Sequence, residues 1–509
     1  MNTTLPSSSR RRDGPPLSAR AKRWLYLIHR WAGIVLCLFF AMWFISGVVM
    51  MYVGYPKLTP QERLAHLPAL DSAAITITPA QALAAAGVQD SAGMILAAAR
   101  GGAPVYLVPG EARRAPKVVD AASGVLLPSA DAATALATAR AWSGGQYTAR
   151  YQGTVEEDAY THSRALGPDR PLHRVDLEDP AQTRLYISSV TGMVVLDATR
   201  AERVWNYAGA WIHWLYPFRG NALDGWWHDI VVWLSVAGVL LALTGTVVGI
   251  LRWRFSRPYA SGSRSPYREN MMRWHHLSGL LFAAITITWI FSGLMSMNPW
   301  KVFASGAPPL AQAAYAGKPG TTLAPPRDLI AALPAPPREL RWARADGHDV
   351  VLARSAAGAP GVLSARDARP HAYDPAALRA AAARLVPGAR LARIETLDAY
   401  DFYYYARDEH AMLGHVEKPL PAWRLIYDDP HSTWVYLDPR TGQILSRQDS
   451  GSRASRWLFA FLHSWDWTGL LSRRPLWDAL LVFLSLGGAA LSLTGAVIGW
   501  RRLGRKLRA

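Results

Sequence analysis

The stretches IHRWAG (residues 28–33) and FISGVVM (44–50) recur as WHHLSG (274–279) and IFSGLMS (290–296). A constant offset of 246 carries His29 onto His275, Gly33 onto Gly279 and Ser46-Gly47 onto Ser292-Gly293 without a gap. The later part of each unit repeats at an offset of 250. Asp179-Pro180 falls on Asp429-Pro430, Thr191-Gly192 on Thr441-Gly442, His213 on His463, Trp227 on Trp477, and Leu243-Thr244-Gly245 on Leu493-Thr494-Gly495. The chain therefore reads as a duplicated unit of helix, domain and helix, and a site between the copies is expected to be nearly two-fold symmetric.

With 509 residues, half of them hydrophobic, and 22 Trp, there is material for a membrane core and two folded domains. The single cysteine, Cys37, sits in an apolar run, which excludes intrachain disulfides, CxxC zinc sites and CxxCH haem attachment. A net charge of +18 would suit a nucleic-acid binder, but its placement argues against one. Residues 1–30, 252–273 and 501–509 together carry +16 of it, gathered at the ends of apolar runs as the positive-inside rule requires.

The first apolar run, 24–52, would extend roughly 43 Å as a helix, longer than the ~30 Å hydrocarbon core. Its end lacks an A-x-A-like cleavage site, so it reads as an uncleaved anchor behind a basic cytoplasmic tail at 1–23. Residues 53–200 form a first external domain. In it ITITPAQALAAAG (75–87) predicts a strand and then a helix opened by Pro79, and RLYISSVTGMVVLD (184–197) predicts a hairpin turning at Thr-Gly. An aromatic segment at 201–218, with Trp205, Trp211, Trp214 and Tyr216, is expected to lie at the lipid interface. Spans at 226–251 and 271–298 flank a basic cytoplasmic loop at 252–270. A second external domain at 299–453, an interfacial helix at 454–468, a span at 475–500 and a basic tail at 501–509 complete the chain. The expected fold is a four-span α-helical bundle from a tandem repeat, with two α+β external domains and both termini cytoplasmic.

On that topology His29 and His275 lie near the cytoplasmic ends of the first and third spans, and His213 and His463 at the opposite face. Ligating side chains near membrane depth usually mark function. One neutral imidazole from each of two facing helices is how a low-spin b-type haem is held without covalent attachment, and two symmetric pairs would hold two stacked haems. Gly33, Gly279, Ser46-Gly47 and Ser292-Gly293 would let a flat macrocycle, or another helix, approach closely. His276 adjoins His275 but aligns with Arg30, and adjacent helical positions point about 100° apart, so it is the lesser candidate. His228 aligns with Asp478 and reads as an alternative outer ligand, a substrate-side group or a structural residue. Zinc would want three or four close donors, and no HExxH occurs.

This layout resembles the PepSY-associated transmembrane family, whose members include bacterial inner-membrane ferric-siderophore reductases and iron-regulated membrane proteins. The resemblance covers nearly the whole chain. It rests on the IHRWAG and WHHLSG helix starts with their downstream Ser-Gly, the two LTG triplets, and the segments RLYISSVTGMVV and TWVYLDPRTGQIL, which look like the ends of PepSY modules. AYDFYYY (399–405) resembles the family's aromatic cluster, with EEDAYT (156–161) as its weaker counterpart. The family implies haem b, two per chain, ligated by His29, His275, His213 and His463, and electron delivery to a periplasmic ferric chelate. The sequence departs from a symmetric pattern at His228 and at His173, whose place in the second copy is taken by Trp423.

The expected function is thus a transmembrane di-haem ferric-siderophore reductase of the bacterial inner membrane. Tyr400, Tyr403, Tyr404, Tyr405, Trp465 and Trp467 are candidate chelate contacts, with strand packing and an interfacial belt as their alternative role. No GxGxxG follows a strand at the cytoplasmic face, and a loop of about 20 residues cannot hold a flavin domain, so the donor is expected to be a separate reductase or a quinol. The competing reading is a non-enzymatic, membrane-anchored PepSY module that binds a peptide, a protease or a metal, with structural histidines. A transporter fits less well, since the spans show no broken helices.

Overall fold

A computed structural model of the protein describes residues 17–110, 115–408, 411 and 414–508. The expected N-terminal tail up to residue 16, and residue 509 of the C-terminal one, lie outside the described residues. The helix α1 (Leu17–Met50) is followed by α2 (Trp227–Arg252), α3 (Asn270–Leu281), α4 (Ala283–Ser296) and α5 (Leu476–Leu507). At 34 residues α1 extends about 51 Å, so the turns around Arg20–Arg23 overhang any hydrocarbon layer and keep their charge in water.

The four-span bundle is corrected here. Three helices are long and apolar enough to cross a membrane, and the third expected span is a bent pair in which α3 meets α4 at 68°. The break falls at Phe282, whose ring fills the notch left by Gly487 on α5 and packs on Phe483 at 5.8 Å. Just beyond it lie the β-branched residues Ile285, Thr286, Ile287 and Thr288, poor at holding a helix straight, where α1 has CLFFAMWF (37–44). Packing follows the repeat: α1 lies against α5, α2 against α4, and α1 also against α2. Phe40, Phe44, Leu241, Ile290 and Ala489 form the buried centre of this assembly.

The rest of the expected fold, two α+β domains, is also corrected: the strands form three antiparallel sheets. Strands 172–177, 184–188 and 194–198 recur 250 residues later as 422–427, 434–437 and 444–448, and each set is completed by one further strand into a four-stranded sheet. The third sheet has six strands and belongs to both copies. Ile95–Arg100 pairs antiparallel with Glu339–Ala345, setting Leu96 opposite Leu340 and Ala97 opposite Glu339. One core runs beneath it, with Leu96, Tyr106, Leu340, Trp342 and Val351 buried together. At the seam Glu339 is fully buried and accepts from Arg63 at 2.5 Å.

Local signals explain the boundaries. Thr78, Pro79 and Gln81 build a capping box that starts the helix Pro79–Ala86, and Gly87 ends it in the left-handed conformation. The preceding ITIT is not a strand, since Ser72–Ala74 coils into a 3-10 turn and the amides of Thr76 and Ile77 share the Ala121 carbonyl. The Thr-Gly turn expected in the first copy forms, with Gly192 at φ 76°, and Gly442 in the second copy takes the same conformation at φ 70°.

Candidate cofactor site between the two copies

Each copy enters its outer site through the same device. Thr199 and Asp449, 250 residues apart, cap the short helices Arg200–Asn206 and Ser450–Ser455 with capping boxes. Both helices pass into π turns, Tyr207–Trp211 and Arg456–Phe461, and both segments then reverse at a left-handed residue, Leu215 or Trp465. A π turn widens the spiral and re-aims the side chains beyond it, a feature frequent at functional sites. These segments were expected to be helices at the lipid interface; each is a short helix followed by a π turn, and Gly209 packs against Val49 near the end of α1. Trp227 and Trp477 secure the turns from below, their indole N–H groups donating to the carbonyls of Trp214 (2.8 Å) and Ser464 (3.0 Å).

The consequence is a facing pair of imidazoles. His213 and His463 have ring centres 6.2 Å apart. His213 Nδ1 lies 2.9 Å from Ser46 Oγ, and His463 Nδ1 lies 3.0 Å from Ser292 Oγ. Ser46 donates its own proton to the Met42 carbonyl at 2.6 Å and Ser292 to that of Trp289 at 3.0 Å. Each serine oxygen therefore accepts from Nδ1–H, which assigns the lone pair of each ring to Nε2.

At the opposite end of α1 the second pair forms. His29 and His275 have ring centres 6.4 Å apart. His275 Nδ1 approaches the Leu491 carbonyl at 3.2 Å and Thr494 Oγ1 at 3.3 Å, and Thr494 gives its proton to Ala490. His29 Nδ1 faces the equivalent Leu241 carbonyl without closing a hydrogen bond of ordinary geometry. The LTG glycines make room for these rings, since a Cβ on Gly245 would sit 2.6 Å from His29 Cε1 and one on Gly495 3.0 Å from His275 Cε1. The pair opens into a cavity of about 670 Å³, floored by Gly33, Gly279, Gly245 and Gly495.

Two imidazoles sharing one metal put their ring centres about 6 Å apart, from metal–nitrogen bonds of about 2 Å and about 1 Å from nitrogen to ring centre. Both pairs meet that spacing, and the side-chain hydrogen bonds of His213, His463 and His275 run through Nδ1. Two donors are too few for structural zinc, and no cluster of three or more His, Cys, Asp or Glu suited to a bare ion occurs among the described residues. Two axial donors do suit a planar macrocycle that brings its own equatorial nitrogens, and the inner cavity lies in the size range of cofactor pockets. The residues present therefore fit haem b at the inner pair by spacing and room, with the tautomer set at His275, and at the outer pair by spacing and tautomer.

The lesser candidates are otherwise occupied. His276 is buried with Nδ1 on Ser265 at 2.8 Å and Nε2 on the Gly249 carbonyl at 2.9 Å. His228 is exposed, between Asp229 at 3.2 Å and the Met297 carbonyl at 3.1 Å. His173 is held through both ring nitrogens by Tyr151 and the Ala130 carbonyl. In the aromatic cluster, Tyr404 is buried, stacks on Tyr436 and donates to the Pro419 carbonyl. Tyr405 donates to Asp466, and Tyr403 accepts from Trp457. Tyr400 is exposed and donates to the Lys418 carbonyl. Trp465 takes the left-handed turn, and Trp467 is exposed. Sequence reasoning missed the two serines and the two LTG glycines as partners of the histidines, although their positions in the repeat marked them.

A family model described as the PepSY-associated TM region matches residues 26–502. No curated protein matches the chain.

Proposed function

Since the chain belongs to the PepSY-associated transmembrane family, we propose that it is a membrane electron-transfer protein holding two b-type haems. One site lies between His29 and His275 and the other between His213 and His463. The protein would reduce a ferric chelate, in the manner of a ferric-siderophore reductase, with the chelate docked beside the sheets. Haem bound at each pair supplies a low-spin iron that accepts and releases one electron with its ligands unchanged. The observation that carries the reading is the pairing itself: two imidazole couples related by the repeat and spaced for a shared iron, with Nδ1 held by a serine hydroxyl at His213 and His463 and by the Leu491 carbonyl and Thr494 at His275.

The chain's residues do the rest. Ser46 and Ser292 hold the outer rings in the ligating tautomer, as Leu491 and Thr494 do for His275. His29 and Ser46 are separated by 17 positions of α1, or about 26 Å, so the two sites stand at opposite ends of a membrane-crossing helix. Phe40, Phe44, Leu241 and Ile290 fill the interval and keep water out. The basic ends of α2 and α5 support a topology with the His29 end in the cytoplasm of an inner-membrane protein and the sheets in the periplasm. A quinol or a cytoplasmic reductase supplies each electron at that end. One electron converts chelated Fe(III) to Fe(II), which hard oxygen ligands hold far more weakly, and the metal is released.

The test is a reduced-minus-oxidised difference spectrum of the purified protein with a pyridine haemochrome count. About two b-type haems per chain, reoxidised on adding a ferric siderophore, are expected. A colourless protein overturns the proposal.

A further inference from the structure

The basic end of the inner cavity carries a second symmetric pair. Arg252 at the end of α2 and Arg502 on α5 are 250 residues apart, the offset that relates His213 to His463, and both line the cavity that opens from His29 and His275. Arg23 and Arg30 line the same mouth. None of the four has a carboxylate partner among the described residues, whereas the neighbouring Arg501 is bridged to Glu269 at 3.0 Å. Arg252 lies over the Tyr26 ring at 4.7 Å, and Arg502 has Arg30 and Arg505 as its charged neighbours. Cations set together without a counter-charge at the rim of an apolar pocket repel one another and favour an anionic ligand.

Symmetry narrows the anion. The operation that exchanges the two copies exchanges His29 with His275, one on each face of a shared macrocycle, so its axis lies in the macrocycle plane. A b-type haem has one such approximate axis, which passes between its two propionates and exchanges them. The residues this axis exchanges at the cavity mouth are Arg252 and Arg502. We infer that Arg252 and Arg502 each bind one propionate of the inner haem, which fixes the ring's rotation with its carboxylates toward the cytoplasm and raises its midpoint potential. This inference rests on the proposed function, because without haem at His29 and His275 there is no propionate to bind. Arg30 adds charge on one side only, since its counterpart His276 is fastened to Ser265 and Gly249.

The experiment compares the purified holoprotein with Arg252→Gln, Arg502→Gln, their combination, Arg252→Lys and the control Arg501→Gln. Two quantities are read: the rate at which apomyoglobin captures haem, and the midpoint potential of each haem in a spectroscopic titration. Each Gln substitution should speed loss of the inner haem by about tenfold or more and lower its potential, with a larger effect in the combination. The outer haem, which also reports that the variant is folded, should not change, Arg501→Gln should match wild type, and Arg252→Lys should restore part of the potential. Two haems in the wild type with unchanged inner capture rate and potential in all Gln variants would overturn the inference and leave the proposed function standing. So would a loss confined to binding of anionic lipid vesicles, which would assign these arginines to headgroup phosphates. A wild type without haem overturns both.

Discussion

Ser46 and Ser292 each give their proton to a helix carbonyl and use the remaining lone pairs to hold a histidine. Removing such a partner of a metal-ligating imidazole typically weakens the metal ten- to hundredfold. On the proposed haem reading, Ser46→Ala is therefore expected to accelerate loss of the haem at His213 and His463 on that scale and to leave the one at His29 and His275 alone, read by component-resolved spectra after dilution. Equal loss from both sites would mean that the serine supports the bundle rather than the ligand. Gly245→Ala makes the complementary prediction: its methyl would intrude on the His29 ring, so the inner component should vanish while the outer one persists. The histidines themselves were legible because the repeat aligns them, and the same alignment set His276 aside. The serine–histidine bonds were not legible, because Ser46 and His213 are 167 residues apart and no periodicity links a helix to a segment beyond an intervening domain.

At the scale of elements, the break at Phe282 is the feature that hydropathy could not reveal, since an apolar run records how much chain avoids water and not the direction it takes. The Phe282 ring occupies the place a side chain on Gly487 would need. Gly487→Ala should destabilise the protein by about 1–3 kcal/mol through overpacking. Phe282→Leu in the same chain should recover part of that loss, seen as a positive coupling in thermal unfolding of the detergent-solubilised protein. Strictly additive effects would show that the two positions do not meet. The interfacial segments teach the same lesson. Their aromatic composition pointed to helices, and it did not reveal the π turns or the left-handed Leu215 and Trp465, a backbone choice that composition does not encode.

For the whole molecule, duplication predicted two similar halves, and the strand sets 250 residues apart bear that out. Their union in one sheet was hidden, because pairing Ile95–Arg100 with Glu339–Ala345 depends on which edges meet and not on any repeat. Glu339 at that seam accepts from Arg63 and keeps Arg341 as a longer ion-pair partner at 3.5 Å, so Arg63→Met should cost about 1–3 kcal/mol by removing the hydrogen-bonded cation of a buried carboxylate, measured by denaturant unfolding of the sheets. A second consequence is a pH dependence. Burial, with Glu62 and Glu202 nearby, pushes the Asp197 carboxyl up to about 7. A raised folded value means that its contribution is fully present below about pH 4 and is lost as pH rises through about 7. Wild type should therefore lose thermal stability between pH 5 and 8 more steeply than Asp197→Asn, and parallel profiles would contradict the assignment. The most direct test of the central claim is the spectral phenotype of the four single histidine variants. If the copies clamp one haem between His29 and His275 and another between His213 and His463, then His29→Ala and His275→Ala should abolish the same spectral component, and His213→Ala and His463→Ala the other. Loss of different components from His29→Ala and His275→Ala would contradict the pairing.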